Sequence, residues 1–176
     1  AGLDTGEILL SNKILIQSED DAKSLHDKLA SKGASLALET LKKLNEGTLR
    51  LTVQDSSLSS YAPKLKKQDG LIKWKDSALK IHNHVRGLTP WPGAFSFLGT
   101  KRLHIYKTKV KMGGPTDKPG SIVQVSNSNI EIGTGDGRII VTELQMEGKK
   151  RMSTKSFLTG YQMVAGEKLN NKPQFK

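Results

Sequence analysis

The stretch Val85-Arg86-Gly87-Leu88-Thr89-Pro90-Trp91-Pro92-Gly93 limits what this chain can fold into more than any other. Two prolines flanking a tryptophan cannot lie inside a helix or a central strand, because each proline removes an N–H donor and fixes φ. One kind of structure must therefore stop before Pro90 and another begin after Gly93. Trp91, one of two tryptophans, is held between two rigid residues, and it is expected to be a buried packing anchor. The stretch leads into the second half and is expected to set the preceding helix, with Arg86, against the first strand beyond it.

On the N-terminal side the pattern is mainly helical. Residues 8–16 (Ile-Leu-Leu-Ser-Asn-Lys-Ile-Leu-Ile) are apolar and β-branched enough for a strand or two half-strands. Ser18 is expected to cap a long helix, paired with Asp21, and Glu19, Asp20 and Asp21 suit the positive end of the helix dipole. Its apolar stripe is Ala22, Leu25, Leu29, Gly33, Leu36, Ala37, Leu41 and Leu44, in steps of three and four that share a face. Gly47 is the expected stop. Residues 48–70 read as a basic linker, serine-rich at first and then carrying Pro63, Lys64, Lys66 and Lys67. Such a linker can act as a spacer or lie along a phosphate backbone. A second helix follows Trp74, capped by Asp76 or Ser77, with the stripe Ala78, Ile81, Val85 and Leu88.

After Gly93 the period shortens. Five strands are predicted, over Ala94–Leu98, Lys101–Lys111, Ser121–Val125, Asn129–Ile132 and Arg138–Leu144. In the second, Leu103 and Ile105 fall on one face, and Arg102, His104 and Tyr106 on the other. The intervening stretches, Gly113–Gly120 and Gly133-Thr134-Gly135-Asp136-Gly137, read as loops. Ser153 caps a short final helix. The fold class is α+β. Its second half is an OB-like five-stranded β-barrel with flanking helices.

Charge narrows the partner. The chain has 176 residues and a net charge of +11. Residues 1–47 carry 6 Lys/Arg and 8 Asp/Glu, and residues 48–176 carry 22 and 9. The entire positive excess therefore lies after Gly47, where it favours a polyanion through counterion release. A solvated lysine-rich surface would have the same composition. With no cysteine, disulfides, thiolate metal sites and thiol nucleophiles are excluded. No run is apolar enough to span a membrane.

Among candidate motifs, Asp4-Thr5-Gly6 matches the Asp-Thr-Gly of aspartic proteases, but those need two carboxylates sharing a proton, and no second copy exists. His82 and His84, two apart on a helix, point in divergent directions and cannot share a metal. Nucleotide-binding glycine fingerprints are absent. The basic side chains remain. Lys101, Arg102, Lys107, Lys109 and Lys111 crowd one strand, Lys149, Lys150, Arg151 and Lys155 crowd a later segment, and the linker adds Lys64, Lys66 and Lys67. Backbone electrostatics is the expected mode, rather than base stacking.

Read in order, several pieces resemble one family. They are Gly2-Leu3-Asp4-Thr5-Gly6-Glu7-Ile8-Leu9, Leu25-His26-Asp27-Lys28-Leu29, Gln54-Asp55, Tyr61-Ala62-Pro63-Lys64 and Ile72-Lys73-Trp74, then Arg86 with Pro90-Trp91-Pro92-Gly93, and Gly135-Asp136-Gly137. Their order and spacing are similar to the second half of the methionyl-tRNA formyltransferase family. The resemblance implies that residues 1–47 are the last strand and helix of a Rossmann-like formyl-transfer domain. It likewise implies that residues 48–70 are the interdomain linker and 71–176 an OB-like tRNA-binding domain.

The family moves a formyl group from 10-formyltetrahydrofolate to the amino group of methionyl-initiator tRNA, using an Asn, a His and an Asp. The Asp role carries over to Asp4, which would orient the histidine or a water so that the amine can lose its proton. The Asn, the His and the folate loop would precede Ala1. The chain is therefore expected to be a fragment, inactive alone, that holds neither folate nor metal. Charge, not a family motif, gives the expected RNA-binding set: Lys64, Lys66, Lys67, Arg86, Lys101, Arg102, Lys107, Lys109, Lys149, Lys150 and Arg151. The expected partner is initiator tRNA, the expected state a monomer, and the setting a bacterial cytoplasm or an organelle matrix. Two alternatives stay open, another 10-formyltetrahydrofolate-dependent formyltransferase and a basic RNA-binding barrel without catalysis.

Overall fold

Helix starts in this chain are decided by which side-chain oxygen can reach a bare backbone N–H. The computed structural model describes residues 5–113 and 118–174. Its contacts divide the chain into two units, 1–64 and 65–176, and each is described by itself. The division falls inside the stretch predicted as linker. Asp4 lies outside the described residues.

In the first unit, helix α1 spans Ala22–Asn45. Its cap is Asp21, not Ser18 as expected. Asp21 Oδ1 accepts from the Ser24 amide at 2.8 Å, and Ser24 Oγ accepts from the Asp21 amide at 3.1 Å. That reciprocal pair is a capping box one turn further along the chain than the predicted one. Beside it, Asp20 is 6% exposed. It accepts from Lys28 Nζ at 2.6 and 2.8 Å, from the Gln17 amide at 2.8 Å and from Ser24 Oγ at 2.9 Å. The Lys28 hydrogen bond, helped by those from Gln17 and Ser24, holds the Asp20 carboxyl down to a pKa of about 2.

None of the α1 residues is buried, and Leu29, Leu38, Leu41 and Leu44 are exposed. The expected strand over residues 8–16 is not formed. Ile8 makes one isolated antiparallel bridge to Thr52, and the residues after it take no partner strand. A β-branched run becomes a strand only through a backbone neighbour, and among the described residues this unit supplies one only at Thr52.

The second unit is a curled antiparallel sheet. Its strands are β1 (Ala94–Leu98), β2 (Lys101–Lys111), β3 (Ile122–Val125), β4 (Ile130–Gly133), β5 (Arg138–Met146), β6 (Met152–Ser153) and β7 (Leu169–Asn170). The order is β3-β4-β5-β2-β1-β7, with β6 on β5. The five predicted strands match β1 to β5. Strands β6 and β7, two residues each, were not predicted because two residues show no periodicity.

The ends of the strand path meet. Ser121 bridges Lys168 antiparallel, and the Ile122 amide donates to Glu167 O and the Leu169 amide to Gly120 O, both at 2.8 Å. These bonds join the β3 edge to the segment leading into β7, so neither edge is left as an open template.

The core comes from inward residues of every long strand, among them Leu103, Ile105, Ile130, Ile132, Ile139, Val141, Leu144 and Met146. Each such side chain contributes roughly 1.5–3 kcal/mol by leaving water. Helix α2 (Ala78–Gly87) is capped by Ser77, and α3 (Thr154–Gly160) by Ser153. Ala78, Ile81, Val85 and Leu88 are all buried, as the predicted stripe requires. Helix α2 lies on β2 and β5, not on the first strand as expected, and His82 Nδ1 sits 2.8 Å from Thr108 Oγ1 of β2. There its apolar stripe of Ala78, Ile81 and Val85 joins the core formed by Leu103, Ile105, Ile139 and Val141.

A second correction concerns the tryptophans. Trp91 is 57% exposed, while Trp74 is 4% exposed. Both Thr89–Pro90 and Trp91–Pro92 are cis. What the turn buries is Gly93, with φ at +80° and its backbone packed under Gly70 and His104. The anchor is Trp74, which reaches the core because the residues before it, Lys67–Gly70, form a 3₁₀ turn packed against β1.

Candidate nucleic-acid interface

Residues 65–176 carry 20 Lys/Arg and 8 Asp/Glu, so this unit holds all of the chain's positive excess. How that charge is displayed depends on β2. Along β2, Leu103 and Ile105 face inward, and so do Thr108 and Val110. The register with β5 shifts between Ile105 and Lys107 and again between Lys107 and Thr108. Across the pair β5 changes parity at the matching place, with Ile139 and Val141 buried and then Leu144 and Met146.

The bulged region therefore moves the odd-numbered residues of β2 outward beyond Tyr106. Arg102, His104 and Tyr106 and then Lys107, Lys109 and Lys111 share one outer face. Strict alternation would have pointed the three lysines into the core with Leu103 and Ile105.

Acidic residues on neighbouring strands hold part of this charge. Glu143 on β5 accepts from Arg151 Nε and lies 3.7 Å from Lys107 Nζ. The Arg151 hydrogen bond holds the Glu143 carboxyl below its ordinary value. Glu131 on β4 is paired with Lys111 at 3.0 Å and with Arg138 at 3.2 Å. Among the described residues, Lys101, Lys109, Lys149 and Lys150 are exposed and form no ion pair. The pairs with an exposed partner, Lys107 and Lys111 among them, contribute little to stability. What they do is fix where the cations point.

The sequence reading placed His104 and Tyr106 beside Arg102 but missed that Phe95 and Phe97 join them on this face. Arg102 Cζ lies 4.7 Å from the Phe95 ring centroid and 5.7 Å from that of Phe97. His104 sits 5.7 Å from Phe95 and stacks on Tyr106 at 6.1 Å. Arg151 Cζ is 4.2 Å above the Tyr106 ring. The Tyr106 hydroxyl donates to Gln145 Oε1 at 2.9 Å, and Gln145 Nε2 donates to Lys149 O at 2.8 Å. A signal was present, since Phe95 and Phe97 alternate with core positions and pair with His104 and Arg102.

The other expected residues are placed as follows. Lys64 belongs to the first unit. Lys66 and Lys67 are exposed at the 3₁₀ turn of the second. Arg86 is carried by α2 on the inner side of the sheet, where its Nε donates to Asn83 Oδ1 at 2.8 Å. Lys149 and Lys150 are in the turn after β5. A cleft of about 400 Å³ lies beside α2, lined by Asp69, Lys73, Asp76, Lys80 and His84 among others. Burial holds the His84 imidazole below its usual pKa. Among the described residues no three His, Cys, Asp or Glu side chains are grouped to hold a metal. No helix among them is long and apolar enough to cross a membrane.

Known proteins place this arrangement. Residues 64–162 match the family "Formyl transferase, C-terminal domain". The chain is 46% identical over 169 residues to the methionyl-tRNA formyltransferase of Geobacter sulfurreducens, which covers 96% of the chain and 53% of that protein. It is 41% identical over 170 residues to the enzyme of that name from Ruminiclostridium cellulolyticum, covering 96% of the chain and 54% of that protein. The chain thus spans about half the length of the curated relatives it matches.

Among solved structures it resembles HypX from Aquifex aeolicus in complex with tetrahydrofolic acid, with a TM-score of 0.63 at 18% identity over 93% of this chain and 31% of that one. It also resembles WlaRD, a sugar 3N-formyl transferase, with a TM-score of 0.61 at 20% identity over 85% of this chain and 52% of that one. At these identities the likeness is one of fold. The family match and the relatives at 41–46% identity carry the assignment, and the chain belongs to the formyl transferase C-terminal domain family.

Proposed function

We propose that this chain is the tRNA-binding part of a methionyl-tRNA formyltransferase, with residues 71–176 forming an OB-type barrel that holds the tRNA. The formyl group would pass from 10-formyltetrahydrofolate to the amino group of methionine on initiator tRNA. The outer face of β2 carries this reading. It gathers Arg102, Lys107, Lys109 and Lys111 on one side of a unit in which cations outnumber anions by 20 to 8. A sugar nucleotide has two phosphates and needs no such extended face, so the charge favours a nucleic acid among substrates of related transferases.

In this reading phosphates are met by exposed cations on a rigid sheet, which positions a tRNA without reading its bases. Residues 1–47, with helix α1, correspond to the C-terminal end of the formyl-transfer domain. Asp4 would serve the catalytic step by orienting the proton acceptor beside the attacking amine. The remaining catalytic groups and the folate site belong to the rest of the parent enzyme.

Binding of purified chain to initiator tRNA, followed by fluorescence anisotropy across a salt series, tests the proposal. Each phosphate neutralised contributes about 0.9 to the log–log slope on a duplex. A steep negative slope is expected, with weaker binding after Lys107→Glu with Lys109→Glu. Affinity that stays level from low to moderate salt overturns the reading. Formyl transfer by this chain alone, given donor and charged tRNA, would overturn the assignment of the remaining catalytic groups to other residues.

A further inference from the structure

We infer that Arg102 is the side chain that orients a phosphodiester on this face, because two aromatic rings seat its guanidinium before any ligand arrives. The inference rests on the tRNA-binding reading and adds the residue that gives the contact geometry. Exposed lysines on the same face supply charge. Arg102 supplies direction.

The seat is specific. The guanidinium carbon lies 4.7 Å from the centroid of Phe95, which is buried, and 5.7 Å from that of Phe97. The two rings meet edge to face at 5.8 Å. They share strand β1, and their cross-strand partners on β2 are His104 and Arg102. Residue 102 is itself fixed by its backbone, since its amide donates to Glu147 Oε2 at 2.9 Å. Among the described residues the Arg102 guanidinium forms no ion pair.

A guanidinium that contacts a ring engages its planar face, and its N–H groups lie in the plane. With Phe97 perpendicular to Phe95, a guanidinium stacked on Phe95, the nearer ring, turns one edge toward Phe97 and keeps the opposite donor edge for an oxygen ligand. A fork of this shape matches two phosphate oxygens at once. Because the side chain is already held, less freedom is lost on binding than for a lysine on a four-carbon stem. The row continues from Phe95 through His104 and Tyr106 to Arg151. Tyr106 lies four positions along the strand from Arg102, about 13 Å, so the seat belongs to a rigid strip rather than to a loop.

Arg102→Lys tests this, because it keeps the charge and removes the fork and its stacking. Anisotropy with initiator tRNA is expected to show a loss of about fivefold or more in affinity with the salt slope unchanged. Arg102→Ala should lose affinity as well and also lower the slope by about 0.9. Phe97→Leu, which leaves Arg102 in place without part of its seat, should shift affinity in the same direction as Arg102→Lys. Far-UV circular dichroism and the unfolding midpoint check that each variant is folded. If wild type binds tRNA with a steep salt slope and folded Arg102→Lys binds within about twofold of it, the orienting role is overturned. If wild type itself shows no salt-dependent binding, the tRNA reading fails first.

Discussion

The Trp74 indole donates a 2.9 Å hydrogen bond to Ser96 Oγ in the interior of the C-terminal unit, and that hydroxyl donates onward to Asn170 O at 2.9 Å. Ser96 is fully buried. One hydroxyl thus ties the segment before α2 to β1 and to β7, three pieces separated widely in the chain. A serine hydroxyl has one donor and two acceptor positions, so both bonds can form at once.

This relationship predicts where a tryptophan matters. Trp74→Ala should lower unfolding stability by about 3–5 kcal/mol. Ser96→Ala should cost about 1–3 kcal/mol, because it leaves a buried indole N–H without an acceptor. Trp91→Ala should change stability by less than about 0.5 kcal/mol, as for other surface substitutions. Urea unfolding of the three variants checks the order.

Gly135 carries the close approach between the β4–β5 loop and the start of α2. Its amide donates to Asp76 O at 2.9 Å, and a Cβ placed on it would lie 1.9 Å from Lys75 O. Both clashing partners are backbone, so neither can rotate away. Gly135→Ala should cost about 3 kcal/mol, the upper range for overpacking, and should loosen the α2 cap. Amide hydrogen exchange at Ala78, whose N–H donates to Asp136 O at 2.8 Å, would report the loosening.

Asp20 makes an acid-range prediction. Its folded pKa is about 2, against an ordinary 3.8. A depressed carboxylate contributes stability above its unfolded pKa and loses it as pH falls through the folded one. The order around Asp20 should therefore persist at pH 4 and fade toward pH 2. Carboxyl carbon NMR should place the Asp20 midpoint near 2 and move it up toward 3.8 in Lys28→Ala. A midpoint unmoved by that change would remove Lys28 as the cause.

His104 gives the opposite end of the scale. Burial, reinforced by Arg102, holds its imidazole below the ordinary 6.5, and its Nδ1 is buried with no hydrogen-bond partner among the described residues. The unfolded chain then binds the proton more readily. Stability from this group is complete above pH 6.5 and declines as pH falls below it. Unfolding midpoints measured from pH 7.5 to pH 5 should fall, and His104→Phe should flatten part of that slope. His84, held low by its own burial, accounts for a further part.

Periodicity was enough to place the five main strands and the buried stripe of α2, because turns of glycine and proline separate them and each apolar face repeats locally. The loop from Gly133 to Gly137 and the cap at Ser153 were legible too, and Ser77 was one of the two residues expected to cap α2; part of the loop expected over Gly113–Gly120 lies outside the described residues. Counting charges located the positive excess after Gly47 without any coordinates.

Three features needed the tertiary structure. Which tryptophan is buried depends on what packs over it, and proline neighbours do not report that. Whether residues 8–16 form a strand depends on a partner strand, which is not a local property. The outer face of β2 depends on the paired irregularities at Tyr106 and Thr142, whose trace in the sequence is the spacing from Ile105 to Thr108 and from Val141 to Leu144. Strict alternation hides that trace. Composition determined that this protein is basic in its second half, and its periodicities determined that the half is built of short strands. Only cross-strand pairing decided that Lys107, Lys109 and Lys111 join Arg102 on one face, because side-chain direction in a strand follows register, and register is settled between strands.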